Sequence, residues 1–268
     1  MSKASFTIEP GHKVRLSSIP TDDRGPFRDK EEARAATETN LEELRDLQER
    51  LYAEHRHALL VVLQGMDTSG KDGAIRKVFS GVNPQGCAVV SFKKPTPLEL
   101  AHDFLWRIHH HAPPKGIISI FNRSHYESVL VERVHKLVPI AVWEKRYAQI
   151  NDFEAMLTNE GTVIVKFFLH ISKKEQRDRL VARLENPSKH WKFNPGDVDE
   201  RKLWAKYQEA YADCVTKCST NHAPWHVIPA DHKWYRDWAI SSVLVDALRK
   251  IDPKFPPAPP GLEKIIIR

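Results

Sequence analysis

The residues best suited to chemistry crowd into eight positions, Gly65-Met66-Asp67-Thr68-Ser69-Gly70-Lys71-Asp72, directly after the apolar run ALLVVLQ. Gly65-x-x-x-x-Gly70-Lys71 has the spacing of a phosphate-binding P-loop. Its glycines let the backbone curl so that N–H groups point inward, Lys71 adds a point charge, and a following helix contributes the positive end of its dipole. The last position departs from the pattern. Where P-loop NTPases offer Mg²⁺ a neutral hydroxyl, this chain has Asp72. With Asp67 inside the loop, two carboxylates stand beside a cradle for anions and repel a polyanion unless cations intervene. The pair therefore points to Mg²⁺, with Mn²⁺ as the alternative, held by Asp67 and Asp72 and shared with phosphate oxygens. A helix cap would account for Asp72 but not for Asp67.

A second group, Asn122-Arg123-Ser124-His125-Tyr126-Glu127, follows the run GIISIF. Ligands of parallel sheets bind at the carboxyl ends of the strands, and an amide, a guanidinium and a carboxylate (Asn122, Arg123, Glu127) arrive there together. Residues 172–192 hold seven Lys and Arg against three acids. Within them Arg179 and Arg183 are four apart, on one side of a helix, ahead of Pro187 and Gly196. That placement suits a lid, at about 172–206, whose cations close over phosphates; the bland alternative is a solvated helix face.

The elements that must position these groups alternate. Leu41, Leu44, Leu47 and Leu51 space out an amphipathic helix over Phe27–His55. Five apolar runs, HALLVVLQ, GCAVVSF, GIISIF, GTVIVKFFLH and WHVIPA, read as strands. Helices are expected over 72–82, over 95–111 behind a Thr96/Glu99 capping box, from the second group through Lys136, and over 139–159, 173–186, 199–218 and 233–251. Strands alternating with helices predict a three-layer α/β/α fold with a five-stranded parallel sheet. Residues 1–26 read as an extended N-terminal arm and 27–268 as one domain.

Composition narrows the partners. The chain has 268 residues, with 41 Lys and Arg against 35 Asp and Glu. That excess suggests an anionic partner such as nucleic acid, a membrane surface or polyphosphate. No apolar stretch approaches the roughly 20 residues of a membrane span. The N-terminus lacks an apolar signal core, and three scattered cysteines, Cys87, Cys214 and Cys218, make no disulfide framework. A cytoplasmic protein with no membrane attachment is expected.

Taken together, LQGMDTSGKDGAIRKVFSGVNPQG, FNRSHYESVLVERV, KFFLHISKKEQRDRL and WKFNPGDVDERKLWAKY closely resemble the polyphosphate kinase 2 family over roughly residues 40–250. The resemblance implies a P-loop kinase fold with a helical lid and Mg²⁺-dependent phosphoryl transfer between inorganic polyphosphate and purine nucleotides. It also implies a homo-oligomer, dimer or tetramer. Asp67, Lys71 and Asp72 match the family's Walker A acidic and basic residues, and Arg123 the arginine of its second motif. Arg133, Arg177 and Arg183 resemble its channel and lid cations, so that phosphate is expected on Gly65, Ser69, Gly70, Lys71, Arg123, Arg133, Arg177 and Arg183. Many relatives read Asp-Arg-Ser-Trp-Tyr-Asn where Asn122 to Glu127 stand here. That departure resembles the subgroup accepting both nucleoside mono- and diphosphates, and it leaves Asp67 and Asp72 as the metal ligands. Two rivals stay open: an ATP-dependent nucleoside monophosphate kinase, which shares the loop, and a nucleic-acid-binding module, which rests on charge alone. Asp67 and Asp72 weigh against the latter, so no nucleic acid is expected as a partner.

Overall fold

A computed structural model describes residues 6–267. Helix α1 (Lys30–Glu54) starts at Asp29, whose carboxylate accepts the Glu32 N–H, and buries Leu41, Leu44, Leu47 and Leu51. Strand β1 (Ala58–Gln64) is buried at every position, which its unbroken apolar run dictates for a strand covered on both faces. Next come α2 (Lys71–Val78), β2 (Cys87–Ser91), α3 (Pro97–Leu100), α4 (Trp106–His109), β3 (Ile118–Asn122), α5 (Val131–Val134) and α6 (Ile140–Asn159). Then follow β4 (Thr162–His170), α7 (Lys173–Leu184), α8 (Gly196–Lys202), α9 (Trp204–Cys218), β5 (Trp225–Pro229) and α10 (Lys233–Ile251).

All strand pairs are parallel, in the order β2-β3-β1-β4-β5. Helices cover both faces, with α1 packed along α10 and α6 against β4, which gives the expected three-layer fold. Because β3 and β4 flank β1, the chain segments leaving β1 and β3 emerge side by side at the carboxyl edge. Leu63 pairs with Asn122 in register, so the P-loop and the second group are neighbours by topology. Residues 6–8 lie antiparallel beyond β5: Ile8 N–H donates to Trp225 O and Val227 N–H to Phe6 O. Phe6, Val14 and Leu16 are buried against the core.

Three expected helices are broken. The 95–111 segment forms its capping box, with Thr96 and Glu99 exchanging bonds, but splits into α3 and α4. The Asp103 carboxylate accepts the Leu105 and Trp106 N–H groups and restarts the chain, an aspartate competing for backbone as it does in turns. Between Arg123 and Lys136 only two short pieces form, a 3₁₀ turn at His125–Ser128 and α5, separated where Leu130 leaves helical geometry (φ −106°, ψ −80°). The 199–218 segment starts earlier and breaks at Leu203 into α8 and α9. Among the described residues no helix is long and apolar enough to cross a membrane.

Candidate active site

The loop from Gly65 to Gly70 turns the end of β1 into α2. Two glycines are indispensable here. Gly65 has φ +154°, and a Cβ there would lie 2.9 Å from the Leu169 carbonyl oxygen; Gly70 has φ +102°, and a Cβ there would lie 2.0 Å from Arg236 Nη1. Any larger residue loses both the backbone conformation and the space. Thr68 adopts a left-handed φ of 64°, an unfavourable geometry for a β-branched residue. The side-chain oxygens of Thr68 and Ser69 are buried without hydrogen-bond partners among the described residues.

Lys71 folds back over the loop and donates from Nζ to Gly65 O at 2.8 Å and Met66 O at 3.4 Å. Its ammonium pKa is pulled down to about 8, first by burial and then by the Arg123 guanidinium, against the opposing pull of Asp67, Glu127 and Asp72. The group keeps its charge at neutral pH, and phosphate would hold it more firmly protonated.

The second group meets the loop across the edge of the sheet. Arg123, also left-handed at φ 64°, donates from Nη2 to Asp67 Oδ1 at 2.9 Å and from Nη1 to Glu127 Oε2 at 3.3 Å. Burial opposes its charge, but Glu127 and Asp67 outweigh that and hold it firmly protonated. Asn122 Nδ2 donates to Asp72 Oδ1 at 2.7 Å. The replaced residue of the motif therefore serves as a donor that orients Asp72. Each Asp uses Oδ1 in these bonds, and two hard oxygen donors beside a phosphate cradle are what Mg²⁺ shared with substrate phosphates requires; the residues fit that ion. Among the described residues no three metal-binding side chains converge, so the remaining ligands would be phosphate oxygens and water.

A buried polar frame holds this strained turn. Lys166, wholly buried in β4, donates to Glu154, to Tyr126 Oη at 2.8 Å and to Cys218 O at 2.7 Å. Tyr126 Oη in turn donates to Glu154 Oε1 at 2.8 Å, and His125 Nε2 lies 3.1 Å from the same oxygen. Burial opposes the Glu154 charge, but Lys166 and His125 lower its pKa below the usual carboxylate range; burial lowers that of His125. Two residues of the second group are thereby tied to charges deep in the sheet. The sequence offered a signal for this: a lysine in the middle of an otherwise apolar strand needs a buried partner.

A cavity of about 260 Å³ opens beside the loop, lined in part by Gly65, Asp67, Arg123, Glu127, Asp197 and Tyr207. The structure gathers Gly65, Ser69, Gly70, Asp67, Lys71, Asp72, Asn122, Arg123 and Glu127 at one edge, but spreads the remaining cations. Arg183 sits at the rim, paired with Asp197 at 3.3 Å. Arg133 is committed elsewhere, to Asp213 at 2.7 Å, Glu209 at 2.8 Å and Tyr147 Oη at 3.0 Å. Arg177 is exposed and nearest Asp178, at 3.9 Å. Arg179 is engaged with loop carbonyls. Here acids and carbonyls of the fold hold Arg133 and Arg179, and solvent surrounds Arg177.

Sequence reading missed Asp197, Glu200, Tyr207 and Arg236. Burial and the neighbouring Asp67 push the Asp197 carboxyl up. Glu200 accepts from Tyr207 Oη at 2.7 Å and pairs with His135 at 2.9 Å, tying α8 to the core. Arg236 is buried beneath Gly70 and paired with Asp237 at 2.6 Å.

Comparison with known proteins agrees with this fold. A family model described as polyphosphate kinase 2 matches residues 27–256. The chain is 52% identical to the AMP/ADP-polyphosphate phosphotransferase of Meiothermus ruber over 263 residues, 98% of each chain. It is 42% identical to the ADP-polyphosphate phosphotransferase of Rhodopseudomonas palustris over 98% of this chain and 95% of that one. The crystal structure of polyphosphate kinase 2 from Arthrobacter aurescens TC1 matches with a TM-score of 0.91 and 43% identity, covering 94% of this chain and 90% of that one. A P-loop closed by an acid, an arginine crossing to it from the next strand, and likeness along nearly the whole chain lead to one conclusion: the chain belongs to the polyphosphate kinase 2 family.

Proposed function

We propose that the protein transfers the terminal phosphoryl of inorganic polyphosphate to AMP or ADP, or to GMP or GDP, giving the next higher nucleotide, and that the reaction is reversible. The observation that carries this reading is the loop whose closing hydroxyl is replaced by Asp72, oriented by Asn122, in a chain 52% identical to a phosphotransferase of that name.

In the transfer, an oxygen of the nucleotide's terminal phosphate attacks the terminal phosphorus of polyphosphate. The bond from that phosphorus to its bridging oxygen breaks, and the chain leaves one phosphate shorter. Such a transition state needs little covalent help, and positioning with charge stabilisation supplies the rate. Lys71 exchanges its bonds to the Gly65 and Met66 carbonyls for phosphate oxygens. Arg123, braced by Asp67 and Glu127, presents its charge across the reacting groups. Mg²⁺, held by Asp67 and Asp72, would neutralise charge between donor and acceptor.

The cavity of about 260 Å³ falls below the roughly 300–1,000 Å³ of ordinary ligand sites. The segment from Glu185 to Lys202 therefore acts as a lid that retracts to admit substrate, with Arg183 following its motion. The enzyme works in the cytoplasm as a dimer or tetramer, without nucleic acid or membrane as partner.

The test is to incubate the protein with Mg²⁺, polyphosphate and either AMP or ADP and to follow ADP and ATP. ATP made from ADP and polyphosphate supports the reading. Phosphorylation of AMP by ATP with none by polyphosphate would replace it with a nucleoside monophosphate kinase.

A further inference from the structure

We propose that Arg179 is a positioning residue of the P-loop and not a cation that closes over substrate; the proposal rests on the phosphoryl-transfer reading for its effect on rate. Arg179 lies in the second turn of α7, and its side chain is 9% exposed. Its Nε donates to Glu175 at 2.7 Å, Nη1 to Thr68 O at 2.9 Å and Ser69 O at 2.8 Å, and Nη2 to Ala230 O at 2.6 Å and Asp231 O at 3.1 Å. A guanidinium has five N–H donors in a planar fork, and five acceptors surround this one. No donor is left over for phosphate.

The acceptors explain what the residue does. Gln176, one turn earlier on α7, donates from Nε2 to Asp67 O at 3.2 Å. Three consecutive loop carbonyls, those of Asp67, Thr68 and Ser69, are thus held by one helix, while Lys71 holds the two before them. A trans peptide is planar, with its N–H directed opposite to its C=O. Fixing the Ser69 carbonyl outward therefore turns the Gly70 N–H to the other side of the loop, where a phosphate oxygen is to be bound. It also braces the left-handed backbone at Thr68. The division of labour is physical: Lys71 trades its carbonyls for phosphate, whereas Arg179 and Gln176 keep theirs.

One consequence concerns the lid. The first half of α7 belongs to the core, because the Ser172 N–H also donates to Asp231 Oδ1 at 2.8 Å. A hinge that frees the segment after Glu185 must lie beyond Arg179.

The test compares wild type with Arg179→Lys, which keeps the charge but reaches the loop from one point and cannot span both pairs of carbonyls. Hydrogen exchange is read for peptides covering 64–71, with β1 and β4 as references, alongside kcat and KM. The expected result is exchange at least about tenfold faster in the loop alone, since charge-assisted bonds to the loop carbonyls are lost. kcat should fall about tenfold or more, with KM for ADP unchanged within about twofold, the pattern of a group acting on the transition state. Gln176→Leu, which preserves volume and removes the bond to Asp67 O together with one from Arg201 Nη1 at 3.0 Å, while Arg201 keeps its bond to Lys173 O, should speed loop exchange by a smaller factor, and it decides the matter should Arg179→Lys not fold. Native loop exchange in a folded variant overturns the proposal. Should wild type make no ATP from ADP and polyphosphate, the functional reading falls, while the exchange comparison still tests the role of Arg179.

Discussion

The two walls of the cavity are built on opposite plans. The loop wall rises from β1, buried at every position, with five consecutive carbonyls engaged by Lys71, Gln176 and Arg179, and the second group beside it is tied to a wholly buried lysine and glutamate. The facing wall has no buried residue in either Pro187–Lys192 or α8, and it is held by rim pairs such as Arg183–Asp197 and His135–Glu200. Groups that stabilise charge must not reorganise during reaction, whereas groups that admit substrate must open cheaply. The contrast teaches that rigidity here follows the chemistry and not the surface, since both walls line the same cavity.

The contrast can be broken first at its foundation. Glu154→Ala leaves Lys166 buried without its counter-charge and should cost about 3–5 kcal/mol of stability, read by urea denaturation; a native unfolding midpoint would show that the frame does not hold the loop wall. Lys71→Ala should lower turnover by about 100-fold or more, by analogy with losing one aimed donor, and near-normal ATP formation by that variant would remove Lys71 from the site. On the facing wall, Arg183→Ala should raise KM by about tenfold while changing stability by less than about 1 kcal/mol, because its pair is partly solvated. Equal losses of stability on both walls would erase the distinction between them. The smallest effect is in pH. With its pKa lowered to about 8, Lys71 in the free protein is charged below that value and loses its charge above it. kcat/KM, which reports the free enzyme, should fall about fourfold between pH 7 and 8.5, and a flat profile would contradict the assignment.

The loop wall was legible in the sequence because its parts are contiguous. Eight residues from Gly65 to Asp72 and six from Asn122 to Glu127 carry their own spacing, and alternating strands and helices set the parallel sheet that brings their ends together. The broken helices were not legible in the same way. Asp103 stops one by taking two backbone N–H groups, a competition that apolar periodicity does not register. Arg179 and Arg183 were read from charge and helical phase, and Arg177 from the family resemblance; neither says which acceptors each will meet.

By itself, then, the sequence determined the P-loop, the acid that closes it, the second group and the order of elements, because local spacing and hydrophobic pattern act over a few residues. The tertiary structure alone decided the fate of the arginines. Arg133 found Asp213, 80 positions away, and Arg179 found Thr68, 111 positions away. A long cation binds whatever oxygens the packed chain brings within reach, and distant parts of the chain meet only once the sheet has formed.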